Sequence, residues 1–211
     1  MTPKEEFIEI YTKYITRNGA DELLEWLKRT DFFTAPASTK YHCACEGGLV
    51  MHSVSVFNTM MEKHYDEETD NIESFAICGL LHDLCKAQFY KVSSRNVKNE
   101  QTGAWEKVPY YAIDDQFPYG HGEKSVFLIE RKMHLKIDEA MAIRWSGSWG
   151  GRNCTNPVWH GVGAYGSGAA FWNIICHPNL ACGYSDGDSY WSSDRTFDSG
   201  FPRGGSAAEA V

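Results

Sequence analysis

Apolar residues recur at helical spacing over most of the first 145 positions, and then the pattern stops. Phe7, Ile10, Tyr11, Tyr14 and Ile15 share one stripe and predict an amphipathic helix, which Asn18-Gly19 ends. A second, short helix follows, with Leu23, Leu24 and Leu27 on one face. Residues 30–41 mix Pro36 with small polar residues and read as a linker. A third helix is predicted over 48–64, where Leu49, Val56 and Met60 form a stripe. His52 lies on that stripe, three after Leu49 and four before Val56, so it points inward. Residues 72–86 are strongly apolar, as a central core helix is. Residues 89–97 and 105–113 read as extended, with turn material from Asn99 to Gly103 between them, and predict a β-hairpin over about 88–113. Helices resume at 123–133 and 137–145.

After Trp145 the character of the chain changes. Residues 146–211 contain no Lys and one Glu, yet hold 12 of the 19 Gly and four of the seven Trp. No sustained helical or strand period is found there. One explanation is a Gly-rich extension dominated by loops. The other is a shift of reading frame near residue 146, and the scattered Trp and Cys favour it. The expected division is a C-terminally incomplete, mainly helical domain over 1–145 and an irregular Gly/Ser/Trp-rich tail over 146–211.

The length of 211 residues fits one domain with a substantial core. A formal charge of −8, from 28 acids against 20 Lys plus Arg, argues against a broad nucleic-acid-binding surface. No stretch approaches the roughly 18 apolar residues of a membrane span. The opening MTPKEEFIEIYTKYI carries acids where a signal peptide has a positive end and an apolar run. These features predict a cytoplasmic protein with no membrane partner. The seven cysteines are irregularly spaced, with Cys43 and Cys45 one residue apart and no CxxC pair. They read as buried free thiols rather than a disulfide framework or a zinc knuckle.

Three segments carry candidate chemistry in order: HCACEGGLVMH at 42–52, GLLHDLCK at 79–86 and PYGHGEKS at 118–125. A catalytic metal ion needs imidazole and carboxylate ligands converging from different elements, with positions left for water. His52 on one apolar stripe, with His82 and Asp83 near the end of a second apolar helix, suits that need. Neighbours on a helix point about 100° apart, so an adjacent His-Asp pair requires the ion to lie between helices. His52 alone would more often be a hydrogen-bonded core residue; the downstream pair makes it a ligand candidate. Buried ionisable groups are costly unless paired or coordinated.

Together these segments resemble the first His and the His-Asp pair of the HD superfamily of metal-dependent phosphohydrolases. The stretch from Tyr41 to Trp145, including FYKVSSRNVKN, GAWEKVPYY and FPYGHGEKS, is further similar to small HD-domain hydrolases of bacteria and their phages. The resemblance implies an all-α fold, an HD-domain helical bundle with the hairpin inserted between its fourth and fifth helices. It implies metal ligation by His52, His82 and Asp83, completed by an Asp from a late helix. Lys86 would sit beside the site and hold a substrate phosphate. His121 would be a second-metal ligand or a proton donor to the leaving oxygen. The sequence departs from the pattern at Ser146, where the family continues with a His. It also lacks a late Leu-x-x-Ala-Asp helix, since Asp186 and Asp188 lie in the turn-like run GYSDGDS.

The expected function is metal-dependent hydrolysis of a small phosphate ester, a nucleotide or related phosphomonoester, with Asp83, Lys86 and His121 as catalytic groups. His42, Lys124 and Arg144 are candidate substrate contacts, although each could equally be a solvated surface charge. Mixed His and carboxylate ligation suits a divalent Mn, Fe, Co, Ni or Zn ion more than Mg. Two rivals remain. Some HD nucleases share the His-x-x-x-x-Gly-Gly-Leu opening, which raises a 3′–5′ exoribonuclease, against which the acidic charge counts. The missing late Asp raises a catalytically impaired nucleotide-binding protein. Cys43 and Cys45 read as small apolar residues rather than nucleophiles.

Overall fold

The computed structural model describes residues 1–40 and 42–146. Six α-helices are present among them: α1 (Pro3–Tyr14), α2 (Ala20–Arg29), α3 (Gly48–His64), α4 (Ile72–Leu81), α5 (His121–Glu130) and α6 (Ile137–Ser146). Strands β1 (Tyr90–Lys98) and β2 (Trp105–Ile113) pair antiparallel in register from Tyr90 opposite Ile113 to Lys98 opposite Trp105. The all-α expectation is therefore corrected. Half of the described residues are helical and two nine-residue strands form a sheet, so the fold is mixed helix and sheet rather than an all-α bundle. The hairpin satisfies its own ladder hydrogen bonds and leaves most of both faces exposed, so it needs no helical cover. The change of character after 146, the late ligand position and the tail residues Asp186 and Asp188 lie outside the described residues.

The core forms where α1, α3 and α4 meet, around Phe7, Tyr11, Leu49, Phe57, Met60, Phe75, Ile77 and Leu80. Thr2 and Glu5 close a capping box that starts α1, with Pro3 in the first turn. Gly79 lets α4 lie directly on α3, since a Cβ there would meet Phe57 Cα at 2.8 Å. That close approach brings the His52 and His82 turns together. Among the described residues no helix is long and apolar enough to cross a membrane.

Two local expectations change. Of the expected linker 30–41, the described residues 30–40 include buried Phe32, Phe33, Ala35 and Ala37, so they are irregular core rather than a polar linker. Their backbone is tied down by Leu49 N donating to Ala35 O at 2.9 Å and Ala37 N donating to Cys43 O at 3.0 Å. Likewise, α4 ends at Leu81, and residues 84–86 form a separate 3-10 turn. The apolar run continues through Leu84 and Cys85, which hides the break from periodicity.

Candidate metal centre

Leaving the helix after Leu81 is what lets neighbouring residues share a target. His82 keeps helical angles (φ −57, ψ −36) while Asp83 turns to φ −100, ψ 19. Their side chains thereby converge, with His82 Nε2 3.4 Å from Asp83 Oδ2. In the 3-10 turn residues three apart nearly eclipse, so Lys86 returns to Asp83 and its Nζ lies 2.7 Å from Oδ2. From α3, His52 Nε2 reaches 3.4 Å from the same Oδ2 and 3.2 Å from His82 Nε2. From the start of α5, His121 Nε2 approaches the other oxygen, Oδ1, at 3.3 Å.

The histidine tautomer follows from a second contact. His82 Nδ1 lies 3.0 Å from Gly79 O, and a carbonyl accepts only, so Nδ1 carries the proton and Nε2 presents a lone pair. Burial drops His52 to about 4 despite the nearby Asp83 charge, which keeps its imidazole neutral. Burial also works against charge on Asp83, yet the Lys86 ammonium, His82 and N–H groups of His121 and His52 hold its carboxyl well below the usual range. On His121 burial again opposes charge, but hydrogen bonds to Asp83 and Cys85 push it up to about 10. Burial pushes the Tyr90 phenol up to about 12.

Would these residues accept a cation? Bonds of about 2.0–2.2 Å place neighbouring donors of one ion roughly 2.9–3.5 Å apart, from octahedral to tetrahedral. The His52, His82 and Asp83 donor atoms stand 3.2 to 3.4 Å from one another, all three residues are buried, and together they form a group that could hold a metal ion. A second such group is Asp83, Cys85 and His121. Next to the first, the His42 ring centroid lies 5.0 Å from that of His52, and its Nε2 is buried without a hydrogen-bond partner among the described residues. Burial and the Lys86 charge lower the pKa of His42, so it too faces the site as a neutral ring. No family model, curated protein or solved structure gives a significant match to the chain.

The candidate residues thus separate. His52, His82, Asp83, Lys86 and His121 meet around one carboxylate, with His42 beside them. Lys124 is buried and bound to Asp115 at 2.6 Å, with its ammonium over the rings of Phe89 and Phe117. Arg144 pairs with Glu123 at 2.7 Å and stacks over Trp145. Both charges are engaged within the fold, which leaves each less available to a substrate.

Sequence reasoning missed Cys85, whose Sγ lies 3.1 Å from His121 Nδ1, and Ser125, whose Oγ accepts from Cys85 N at 3.0 Å. It also missed Tyr90, whose hydroxyl donates to Ala37 O at 3.3 Å. Only the position of Cys85 inside HDLCK signalled any of them.

Proposed function

We propose that this chain is a metal-dependent hydrolase of phosphate esters, acting on a nucleotide or related phosphomonoester. The supporting observation is the Asp83 carboxylate, shared by His52 and His82 on one oxygen and His121 on the other, with Lys86 bonded beside it. His52 and His82 would hold a divalent Mn, Fe, Co, Ni or Zn ion through Nε2, with Asp83 Oδ2 as the anionic ligand. When bound, the ion supplies a water acidified toward neutral pH and a Lewis acid for a phosphoryl oxygen.

The remaining work falls to the chain. Gly79 O fixes the His82 ring so that its lone pair faces inward. Asp83 orients the attacking water or accepts its proton; its carboxyl is kept ionised, which favours the orienting role. Lys86 keeps its proton, since the Asp83 charge outweighs burial, and offers a fixed positive charge to phosphate oxygens. His42, with its orphaned buried Nε2 at the edge of the site, suits a polar contact to the substrate.

Metal analysis of the purified chain, combined with phosphate release from a panel of nucleotides and simple phosphomonoesters, tests the reading. Activity should disappear with chelator and return with metal. Lys86→Ala should retain metal and lose turnover, because it removes a charge contact and leaves the ligands in place. Cleavage of single-stranded RNA without phosphomonoester turnover would transfer the site to the nuclease class. Metal-free protein that releases phosphate from none of these substrates would end the hydrolase reading.

A further inference from the structure

The formal charge of −8 is unevenly spread along the chain. Residues 90–113, the hairpin, carry four cations against two acids. Side chains alternate along a strand and directly paired residues share a face, so the register sorts these charges. One face begins at the Tyr90–Ile113 pair, continues through Val92–Tyr111 and ends at Lys98–Trp105, with Lys107 opposite Asn96. It carries two cations, three aromatic rings and no acid. Trp105 is largely exposed, and Lys98 and Lys107 are exposed with no ion-pair partner among the described residues. The opposite face differs. There Lys91 pairs with Asp114 at 3.1 Å, Arg95 lies over the Tyr110 ring, and Glu106 accepts from Asn99.

The acid-free face is rooted at the candidate metal centre. Its Tyr90 ring packs edge-on against Phe89, whose ring lies 6.4 Å from that of His121. The charges of Lys86 and Asp83 both act on the Tyr90 phenol. From there, eight steps of about 3.4 Å carry the face roughly 27 Å outward to the turn. Tyr111 and Trp105, six residues apart, stand about 20 Å from each other along it.

We propose that this face binds a single-stranded oligonucleotide, with bases on Tyr111 and Trp105, phosphates on Lys98 and Lys107, and the phosphorylated end at Asp83 and Lys86. Every base presents a ring face, so aromatic side chains spaced along a cationic track hold a strand whatever its sequence. Delivery of the end rests on the hydrolase reading and names its substrate class, a phosphomonoester at the end of a strand. There water adds to phosphorus, the bond to the terminal sugar oxygen breaks, and that oxygen takes a proton as inorganic phosphate leaves. Binding along the face does not rest on that reading. A second copy of the chain is a poorer occupant, because pairing this face with itself sets Lys98 and Lys107 against the same cations.

Fluorescence anisotropy of the full chain with labelled oligouridylate and oligothymidylate, each phosphorylated at the 3′ or the 5′ end, tests the proposal and separates RNA from DNA. Binding should weaken about tenfold in Trp105→Ala, within the usual range for one stacked base. In Lys98→Gln/Lys107→Gln the slope of log affinity against log salt should fall by about 1.4, since two phosphate contacts are removed. That pair carries the test if Trp105→Ala fails to fold. Arg95→Gln, on the opposite face, should leave affinity and slope unchanged. Phosphate release from the oligonucleotides should exceed that from uridine monophosphate in kcat/KM, and Trp105→Ala should lose the preference. Binding with these variant effects but no phosphate release supports the face and tells against the hydrolase reading alone. Turnover of uridine monophosphate without oligonucleotide binding overturns the face and leaves the hydrolase reading standing. Equal losses in Arg95→Gln overturn it as well. So does tighter binding to phosphatidylserine vesicles than to either oligonucleotide, or a dimer in light scattering that Trp105→Ala dissociates while no oligonucleotide binds.

Discussion

Two clusters of buried charge flank the same core, and they are completed differently. Around Arg17, the guanidinium donates to Glu139 at 2.7 and 2.9 Å and to Glu73 at 3.1 Å. Glu73 also accepts from the Thr16 and Arg17 backbone N–H groups, and Glu139 from Ser74 Oγ and Lys136 N. All four carboxylate oxygens are thus satisfied within the group, which ties the α1–α2 connection to the starts of α4 and α6. Around Asp83, by contrast, two Nε2 atoms lie 3.2 Å apart facing one carboxylate oxygen, and His82 turns a lone pair inward. His52 supplies an N–H to this space, and a cation that displaces that proton would meet both ring nitrogens and the carboxylate oxygen at once. A closed network of the first kind stabilises a fold, and an open one of the second kind is suited to binding.

The comparison breaks most sharply at Asp83. Asp83→Ala should abolish both metal binding and phosphate release while leaving the Arg17 network formed; metal analysis and turnover assays measure the first two and circular dichroism the third. If metal stays bound at full stoichiometry, Asp83 belongs to the structural class instead.

Glu139→Ala should act in the opposite sense. It leaves Arg17 with Glu73 and the His134 carbonyl alone and should lower the free energy of unfolding by about 1.5–3 kcal/mol, the usual worth of hydrogen bonds to a charged group. Urea denaturation reads this directly. Metal stoichiometry in the folded fraction should not change, and a parallel loss of metal would mean that the two clusters are coupled.

Metal itself should stabilise only through the open cluster. At about a hundredfold excess over its dissociation constant, a bound ion adds about 2.7 kcal/mol to wild type. The same gain should persist in Glu139→Ala and vanish in Asp83→Ala, as thermal melts with and without chelator would show.

Acid should loosen the closed cluster. Burial raises the Glu139 and Glu73 pKa values, but hydrogen bonds and the Arg17 charge prevail and hold both below their usual value. Each therefore binds protons more weakly when folded than when unfolded. Their stabilisation is fully present above about pH 4.5 and is lost as pH falls through the lowered folded values. Urea midpoints between pH 7 and pH 3 should fall less steeply in Glu139→Gln than in wild type.

The smallest effect belongs to the hairpin. Trp105 is 71% exposed, so Trp105→Ser should shift unfolding by no more than about 0.5 kcal/mol. A larger loss would show that the strand face is covered.

Much of the helical layout is legible from short-range pattern. The Leu49, Val56 and Met60 stripe marks α3 at the bounds observed, with His52 turned inward, and the turn residues 99–103 separate two strands as expected. The pattern fails where apolar character outlasts the element. The run from Ile72 reads as helix through Lys86, but Asp83 leaves helical angles and only then can share a target with His82. It fails again at Phe32 and Phe33, which sit among turn-forming residues yet are buried.

What the sequence determined by itself is therefore local: which segments are helical, which face of α3 is apolar, and that three ionisable residues lie in apolar surroundings. Periodicity encodes these because burial of a face depends on neighbours three and four positions away. The tertiary structure alone decided that Cys85 and Ser125 meet across 40 residues. It also decided that Lys124 and Arg144 are held by Asp115 and Glu123, and that one carboxylate faces donors from three elements. Those contacts depend on how closely α3, α4 and α5 approach, and no spacing along a single strand of sequence carries that distance.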